Sequence, residues 1–149
     1  MKSFASDNYA GVAPEIMQAL ISANHEHQPS YGNDIYTQEA QEIFKTTFGE
    51  NSQTYFAYNG TAANSVALKA LLKSHHSVLC SSTAHIAHQE VGAATYLTGC
   101  PMVLIPHVNG KISANAIQKS YAQASYWGPH GNKPKVVSIA QSTELGTVY

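Results

Sequence analysis

The sequence predicts an α/β fold built on a mainly parallel, buried sheet. This prediction rests on short β-forming segments that alternate with segments whose apolar residues recur at helical spacing, and on the turn residues between them. Strands that alternate with helices are typical of parallel sheets, because a helix provides the crossover between neighbouring strands. A length of 149 residues suits one domain that buries a sizeable core.

Local patterns justify the elements in turn. Proline is accepted in the first turn of a helix, so we expect Pro14 to begin the first helix. Glycine commonly follows the end of a helix, so we expect Gly49 to end the second. The stretch TYFAY is rich in β-forming residues and predicts the first strand. In chain order, the predicted elements are a helix from residue 14 to about 24, a helix over 37–48, a strand over 54–58, a helix from 60 to about 73, a strand over 77–80, a helix after residue 83, a strand over 102–105, a turn at 109–110, a helix from 113 to about 125 and a strand over 136–139.

The charge balance excludes a protein that binds the nucleic-acid backbone. Charged residues make up 11% of the chain, the formal net charge is −1, and arginine is absent, so no phosphate-neutralising patch is available. No apolar run approaches the ~20 residues of a membrane span, and the N-terminus has no signal-peptide core. Cys80 and Cys100 show no Cys-x-x-Cys spacing, so we expect reduced thiols in a cytoplasmic protein.

The first candidate site is the strand-to-helix turn at Gly60 and Thr61. Glycine lets a ligand approach the backbone closely, and the free amides at a helix N-terminus bind anions. The segment is neither a Walker loop nor a Gly-x-Gly-x-x-Gly motif. Spacing alone therefore favours the simpler interpretation, in which Thr61 caps the helix and Gly60 only makes the turn.

The second candidate site surrounds His85. This residue follows a predicted strand, so it should emerge at the carboxyl end of the sheet, where open α/β sheets bind ligands. His85 and His88 permit a metal site, but Glu90 lies about 500° around the helix from His85 and should point elsewhere. Surface histidines are favoured over a metal site, and a ring-stacking or acid–base role for His85 stays open.

Five stretches in collinear order carry a resemblance that spans essentially the whole chain. They are SDNYAG at 6–11, PSYGND at 29–34, NGTAAN at 59–64, TAHI at 83–86 with Glu90, and QSTELGTVY at 141–149. Together they resemble the threonine aldolase branch of the β-eliminating lyases, which are pyridoxal-phosphate enzymes with an aspartate-aminotransferase-like fold. The resemblance implies that residues 1–149 form an N-terminal arm and the first part of a three-layer, cofactor-binding large domain of fold type I, which is truncated at its C-terminus.

The resemblance also implies roles for four residues of the two candidate sites. Gly60 and Thr61 would cradle the phosphate of pyridoxal 5'-phosphate through backbone amides and the hydroxyl. His85 would stack on the pyridine ring and help to position or deprotonate the substrate, and Glu90 would take part in proton transfer. The implied reaction is the cleavage of L-threonine, or a related β-hydroxy amino acid, to glycine and an aldehyde.

Two polar loops near the N-terminus, at residues 6–7 and 31–34, contain residue types that commonly cap helices. The resemblance gives each of them a further role. It implies that Ser6 helps to hold the substrate carboxylate and that Tyr31 lines the substrate pocket from a loop near a subunit interface. Members of the family form homo-oligomers with active sites between subunits, so we expect the full-length protein to do the same.

Three groups that the family needs are missing from the sequence. They are the Schiff-base lysine, the aspartate at the pyridine nitrogen and the arginines that bind the substrate carboxylate, all of which lie later in the family's sequence. The chain also stops in an apolar stretch, which would leave a parallel sheet without neighbours on one side. We therefore expect this chain to be an inactive N-terminal part of an aldolase.

Two alternatives stay open. One is a pyridoxal-phosphate enzyme that catalyses β-elimination from an aromatic or sulfur amino acid, although the stretches around Ser6 and His85 favour the aldolase. The other is a catalytically inactive α/β module that binds a phosphorylated ligand or a partner at Gly60 and Thr61. The missing lysine favours this module, and the abrupt end of the chain weighs against it.

Overall fold

The computed structural model describes residue 3 and residues 6–149. The chain forms two compact units, Met1–Tyr55 and Phe56–Tyr149, called here the N-terminal unit and the C-terminal unit. Helices are present in both units, whereas the sheet lies in the C-terminal unit. Within the described residues, no helix is long and apolar enough to cross a membrane.

Helices dominate the N-terminal unit. A 3-10 helix at Asp7–Tyr9 precedes helix α1, Pro14–Ala23, and helix α2, Ile35–Phe48. The bounds of α1 confirm the prediction. Helix α2 begins earlier than predicted because Asp34 caps it, accepting hydrogen bonds from the amide of Thr37 at 2.8 Å and from its hydroxyl at 2.7 Å. These hydrogen bonds hold the pKa of Asp34 below its usual range.

The strand predicted over residues 54–58 is wrong. No strand among the described residues pairs with this stretch, and Tyr55, Phe56 and Tyr58 are exposed by 83%, 59% and 97%. A high β-propensity expresses how well a residue fits a pleated, half-buried surface that has cross-strand neighbours. Here the stretch has neither a pairing strand nor a buried face, and it runs across the boundary between the units.

The C-terminal unit alternates helices with strands, as the sequence predicts. In chain order its elements are α3 (Gly60–Leu71), β1 (His76–Ser81), α4 (His85–His88), α5 (Ala93–Thr98), β2 (Met102–Ile105), α6 (Ala114–Tyr126), a 3-10 helix (Gly128–His130) and β3 (Lys133–Ser138). The bounds of β2 match the prediction. The predicted helix after Thr83 is replaced by two short ones, and β3 starts before the predicted strand and ends before Ile139.

Three parallel strands form the sheet in the order β2-β1-β3, so the prediction of a parallel sheet is confirmed. The central strand β1 is almost wholly buried, whereas exposed and half-buried residues alternate along β3. The expectation of a buried sheet therefore holds best for the central strand. Because the carboxyl ends of parallel strands meet at one edge, the segments that follow β1 and β3 lie near each other.

Residues of β1 belong to two apolar clusters. Val78 and Cys80 pack in one cluster with Leu68 of α3. Leu79 lies in the other cluster, against which Ile117 of α6 packs. Successive side chains of a strand point to opposite faces of the sheet, so helices cover both faces and the unit has three layers.

Both cysteines are buried free thiols, which confirms that neither forms a disulfide. Burial raises the pKa of the Cys80 thiol, because the apolar core disfavours the charged thiolate. Cys80 therefore stays protonated near neutral pH and behaves as an apolar residue of the core.

The turn predicted at Asn109 and Gly110 is confirmed, with φ of 51° and 81° at the two residues. A Cβ on Gly110 would lie 2.5 Å from Oγ1 of Thr143. Thr143 is itself buried, and its hydroxyl is hydrogen-bonded to the hydroxyl of Thr147 at 2.8 Å. The turn after β2 is thus held closely against the segment that follows β3, and only glycine fits there.

We predict that Gly110→Ala destabilises the protein more than Gly99→Ala. Gly99 also has a positive φ, but its Cβ would meet Ser74 at ordinary distances, 3.5 Å from Cβ and 4.0 Å from Cα. We expect the free energy of unfolding to fall by about 2–4 kcal/mol for Gly110→Ala and by about 1 kcal/mol for Gly99→Ala. Chemical denaturation measures both values, and equal losses would contradict the clash with Thr143.

Candidate active site

A cavity of about 150 Å³ lies at the carboxyl ends of β1 and β3 in the C-terminal unit. Its lining residues include Thr83 and His85 after β1, Ala140 after β3, and Asn64 of α3. Ligands bind at this edge in open α/β sheets. The prediction that His85 emerges at the carboxyl end of the sheet is confirmed.

A tight turn between β1 and α4 places His85 at the cavity. Oγ of Ser81 accepts a hydrogen bond from the amide of Thr83 at 3.2 Å, and the two hydroxyls lie 3.0 Å apart. The amide of Ala84 donates to the carbonyl oxygen of Ser81 at 2.9 Å. His85 is the first residue of α4, and its side chain is 46% exposed. The side chain of His85 is thus placed at the cavity and remains partly exposed.

The N-terminus of α3 presents unpaired backbone amides. Asn59 caps this helix, with its side-chain oxygen accepting a hydrogen bond from the amide of Ala62 at 2.8 Å. The interpretation in which Thr61 is the cap is therefore wrong. Within the described part of the chain, nothing accepts a hydrogen bond from the amides of Gly60 and Thr61. A Cβ on Gly60 would meet nothing within 4 Å, so an anion has room to approach.

Glu90 is a buried carboxylate that accepts hydrogen bonds from two side chains. Its exposure is 2%, and Oε1 lies 2.7 Å from Nδ2 of Asn64 and 3.0 Å from Nδ1 of His85. Oε2 is buried and has no hydrogen-bond partner among the described residues. The prediction that Glu90 points away from His85 is wrong.

The backbone after α4 explains why helical geometry wrongly predicted the direction of the Glu90 side chain. Helix α4 is a single turn, with Gln89 at its C-terminus, so Glu90 does not continue the helix. Val91 and Gly92 then have φ of 54° and 70°. A β-branched residue rarely adopts this left-handed conformation, and Val91 is fully exposed. The chain therefore holds strained backbone directly beside the carboxylate that it buries.

His88 has a hydrogen-bond partner different from that of His85. Nε2 of His88 is hydrogen-bonded to the carbonyl oxygen of Ser82 at 2.8 Å, whereas His85 contacts Glu90. Among residue 3 and residues 6–149, no three His, Cys, Asp or Glu side chains are grouped to hold a metal ion. The arrangement of His85 suits acid–base chemistry, because a carboxylate orients its ring and part of the ring is exposed.

Ser6 and Tyr31, the two predicted substrate-binding residues, belong to the N-terminal unit. Oγ of Ser6 accepts a hydrogen bond from the amide of Asn8 at 3.2 Å. Tyr31 has a φ of 63° and is 99% exposed. Their role in a substrate site stays a prediction, whereas the other four predicted site residues all lie in the C-terminal unit.

Asn64 is a site residue for which the sequence patterns gave no role. It lies in the stretch NGTAAN, yet neither the motif nor the resemblance assigned it one. Its spacing does carry a signal, because residues four apart on a helix share a face. Asn64 follows Gly60 by that interval, so it faces the same side of α3 as the residue that begins the helix.

Comparison with known proteins adds a family likeness to this geometry. A sequence model of the beta-eliminating lyases matches residues 3–149. The low specificity L-threonine aldolases of Pseudomonas aeruginosa and of another Pseudomonas are 42% and 41% identical over 149 residues, 99% of this chain. The enzyme of the same name from Saccharomyces cerevisiae is 25% identical over 145 residues, 97% of this chain.

A solved structure shows the same likeness in three dimensions. The threonine aldolase of Leishmania major matches with a TM-score of 0.89 and 25% identity, over 95% of this chain and 41% of that one. This match confirms the predicted fold class. The chain spans 42% of the length of the two Pseudomonas relatives and 37% of that of the yeast relative.

We predict that Val91→Asn stabilises the protein by relieving backbone strain. Asparagine adopts the left-handed conformation more readily than valine, so the free energy of unfolding should rise by about 1 kcal/mol. Val66 is a matched control, since it is also exposed but lies in the regular helix α3. Val66→Asn should bring no gain in chemical denaturation, and an equal gain in both variants would contradict the strain at Val91.

Proposed function

The chain belongs to the beta-eliminating lyase family, and from that premise we propose that it forms the N-terminal part of a pyridoxal-phosphate-dependent threonine aldolase. The full-length protein cleaves L-threonine, or a related β-hydroxy amino acid, to glycine and an aldehyde. The observation that carries this proposal is the His85–Glu90 hydrogen bond at the cavity, which is linked through Asn64 to the helix with unpaired amides. The identity to threonine aldolases along nearly the whole chain supports it.

The N-terminus of α3 fits the phosphate group of the cofactor. The amides of Gly60 and Thr61 are unpaired, and the helix dipole contributes roughly 0.3–1 kcal/mol toward a bound anion. The first turn of α3 carries no acidic side chain that would repel a phosphate. We infer that these two amides and the Thr61 hydroxyl hold the phosphate.

Pyridoxal phosphate, when bound, supplies the electron sink that makes cleavage of the Cα–Cβ bond possible. The residues of this chain orient the reactants and move protons. Glu90 accepts the hydrogen bond from Nδ1 of His85, which leaves Nε2 of the neutral ring without a proton. With the cofactor bound, His85 would contact its ring, and Nε2 would accept the proton of the substrate's β-hydroxyl.

We propose that Ser6 and Tyr31 take part in substrate binding in the full-length protein. Ser6 helps to hold the substrate carboxylate, and Tyr31 lines the pocket. The left-handed backbone of Tyr31 supports this role, because strained residues cluster at functional sites. The Schiff-base lysine, the aspartate at the pyridine nitrogen and the carboxylate-binding arginines come from the remaining length of the protein, since this chain matches only 42% of its Pseudomonas relatives.

We also propose that the full-length enzyme is a homo-oligomer. The apolar face of α1 is 45–60% exposed and consists of Ile16, Met17, Leu20 and Ile21. Exposed apolar patches mark contact surfaces, and a second copy would cover this one. Light scattering of the purified protein tests the proposal, and a monomer would contradict it.

The cytoplasmic location stays a prediction.

Product analysis of the full-length protein tests the proposed function. With pyridoxal phosphate and L-threonine, it should yield glycine and acetaldehyde in equal amounts. A 2-oxo acid and ammonia released from an aromatic or sulfur amino acid would indicate β-elimination instead. Binding of phosphorylated ligands without turnover of any amino acid would favour the inactive module.

We predict that His85→Asn lowers turnover far more than cofactor content. A general base contributes roughly 100-fold or more to the rate, whereas the phosphate contacts of Gly60 and Thr61 stay intact. His88→Asn is the control, because His88 lies on the same short helix and is bonded to a backbone carbonyl. Steady-state kinetics and cofactor absorbance measure both effects. Unchanged turnover in His85→Asn would remove this residue from the mechanism.

We predict that Thr61→Ala weakens retention of pyridoxal phosphate. A hydrogen bond to a charged group contributes about 1.5–3 kcal/mol, so the Kd of the cofactor should rise about tenfold or more. Thr95→Ala is the control, since Thr95 is an exposed threonine of α5. Equilibrium dialysis measures the Kd, and an unchanged value for Thr61→Ala would show that this hydroxyl does not bind the phosphate.

A further inference from the structure

We propose that Asn64 is a positioning residue that acts through Glu90 on His85. The amide group of Asn64 fixes the Glu90 carboxylate, and the carboxylate in turn fixes the proton of His85 on Nδ1. This inference rests on the proposed function for its catalytic consequence, but its structural part concerns only the three side chains.

The contacts at Oε1 of Glu90 indicate that both donors are needed. Nδ2 of Asn64 and Nδ1 of His85 converge on this one oxygen at 2.7 Å and 3.0 Å. Oε2 has no partner among the described residues, so the orientation of the carboxylate depends on Oε1 alone. Without Asn64, only the hydrogen bond to a partly exposed histidine would hold a carboxylate that is almost wholly buried.

The chemistry of the three groups determines the tautomer of His85. An ionised carboxylate only accepts hydrogen bonds, so a neutral imidazole that contacts it must carry its proton on the contacting nitrogen. Nδ2 of Asn64 only donates, and it keeps Oε1 directed as an acceptor toward the ring. Nε2 is therefore the nitrogen left free to accept a proton from a substrate hydroxyl.

Asn64 also joins two parts of the candidate site that are distant in sequence. It lies one helical turn after Gly60 on α3, whereas Glu90 lies 26 residues further along the chain. The hydrogen bond between them ties the helix that begins with the unpaired amides to the segment that carries His85. Asn64 thus maintains the spacing between the phosphate-binding amides and the imidazole ring.

Asn64→Leu in the full-length protein tests the proposal, because leucine has a similar size and no donor. Nitrogen-15 NMR of the cofactor-free protein reports the tautomer of His85. We expect the wild type to hold the proton on Nδ1 and the variant to show a mixture of tautomers. In the loaded enzyme, kcat should fall about tenfold or more with little change in KM, by analogy with the loss of a hydrogen-bond partner of a metal-binding histidine.

Asn115→Leu is the matched control, since Asn115 is an exposed residue of α6 for which the structure gives no side-chain hydrogen bond. It should change neither the tautomer nor kcat. If Asn64→Leu fails to fold, Asn64→Ala makes the same test, because it removes the donor and adds no charge beside Glu90. A proton that stays on Nδ1 in the folded variant would overturn the proposal.

The two readouts separate this proposal from the proposed function. If the wild-type enzyme does not cleave β-hydroxy amino acids but Asn64→Leu still shifts the tautomer, the function is wrong and the positioning role stands. If the wild type cleaves them and Asn64→Leu leaves the tautomer and kcat unchanged, the function stands and the role of Asn64 is wrong.

Discussion

The arrangement of the candidate site depends on one buried carboxylate oxygen. At Oε1 of Glu90, helix α3 and the turn after β1 meet through the side chains of Asn64 and His85. A buried carboxylate is costly unless it is hydrogen-bonded, so the acceptor and its two donors hold one another in place. This contact ties the imidazole to α3, and the packing of Leu68 of α3 in one apolar cluster with Ile86 of α4 supports it.

The parallel sheet makes that contact possible. Strand β1 is buried between two apolar clusters, and β3 runs beside it in the same direction. The chain segments that follow these strands therefore start from one edge of the sheet. Helix α3 packs on β1 through Leu68, which lies in one apolar cluster with Val78 and Cys80. Core packing thus brings polar residues from distant parts of the sequence to one cavity, although none of them contributes to the apolar core.

Sequence patterns predicted those features whose causes are local. Proline at the start of α1, the start of α6 near Ser113 and the turn at Gly110 each depend on a few neighbouring residues. The stretch at 54–58 failed because a strand needs a partner, which its own residues do not reveal. Asn59 and Thr61 are both good capping residues, and only the backbone conformation decides that Asn59 is the one that caps.

Local sequence patterns could not predict the contact between Glu90 and His85, and the reason is energetic. Helical geometry separates the two residues, and they meet only because the chain leaves the helix and Val91 adopts a left-handed conformation. The left-handed conformation costs about 1–2 kcal/mol at a residue such as valine, so the sequence alone would not predict it at Val91. Hydrogen bonds to a carboxylate contribute about 1.5–3 kcal/mol each, and Glu90 accepts two. The two hydrogen bonds at Oε1 are therefore of the size needed to offset the strain of the turn beside Glu90.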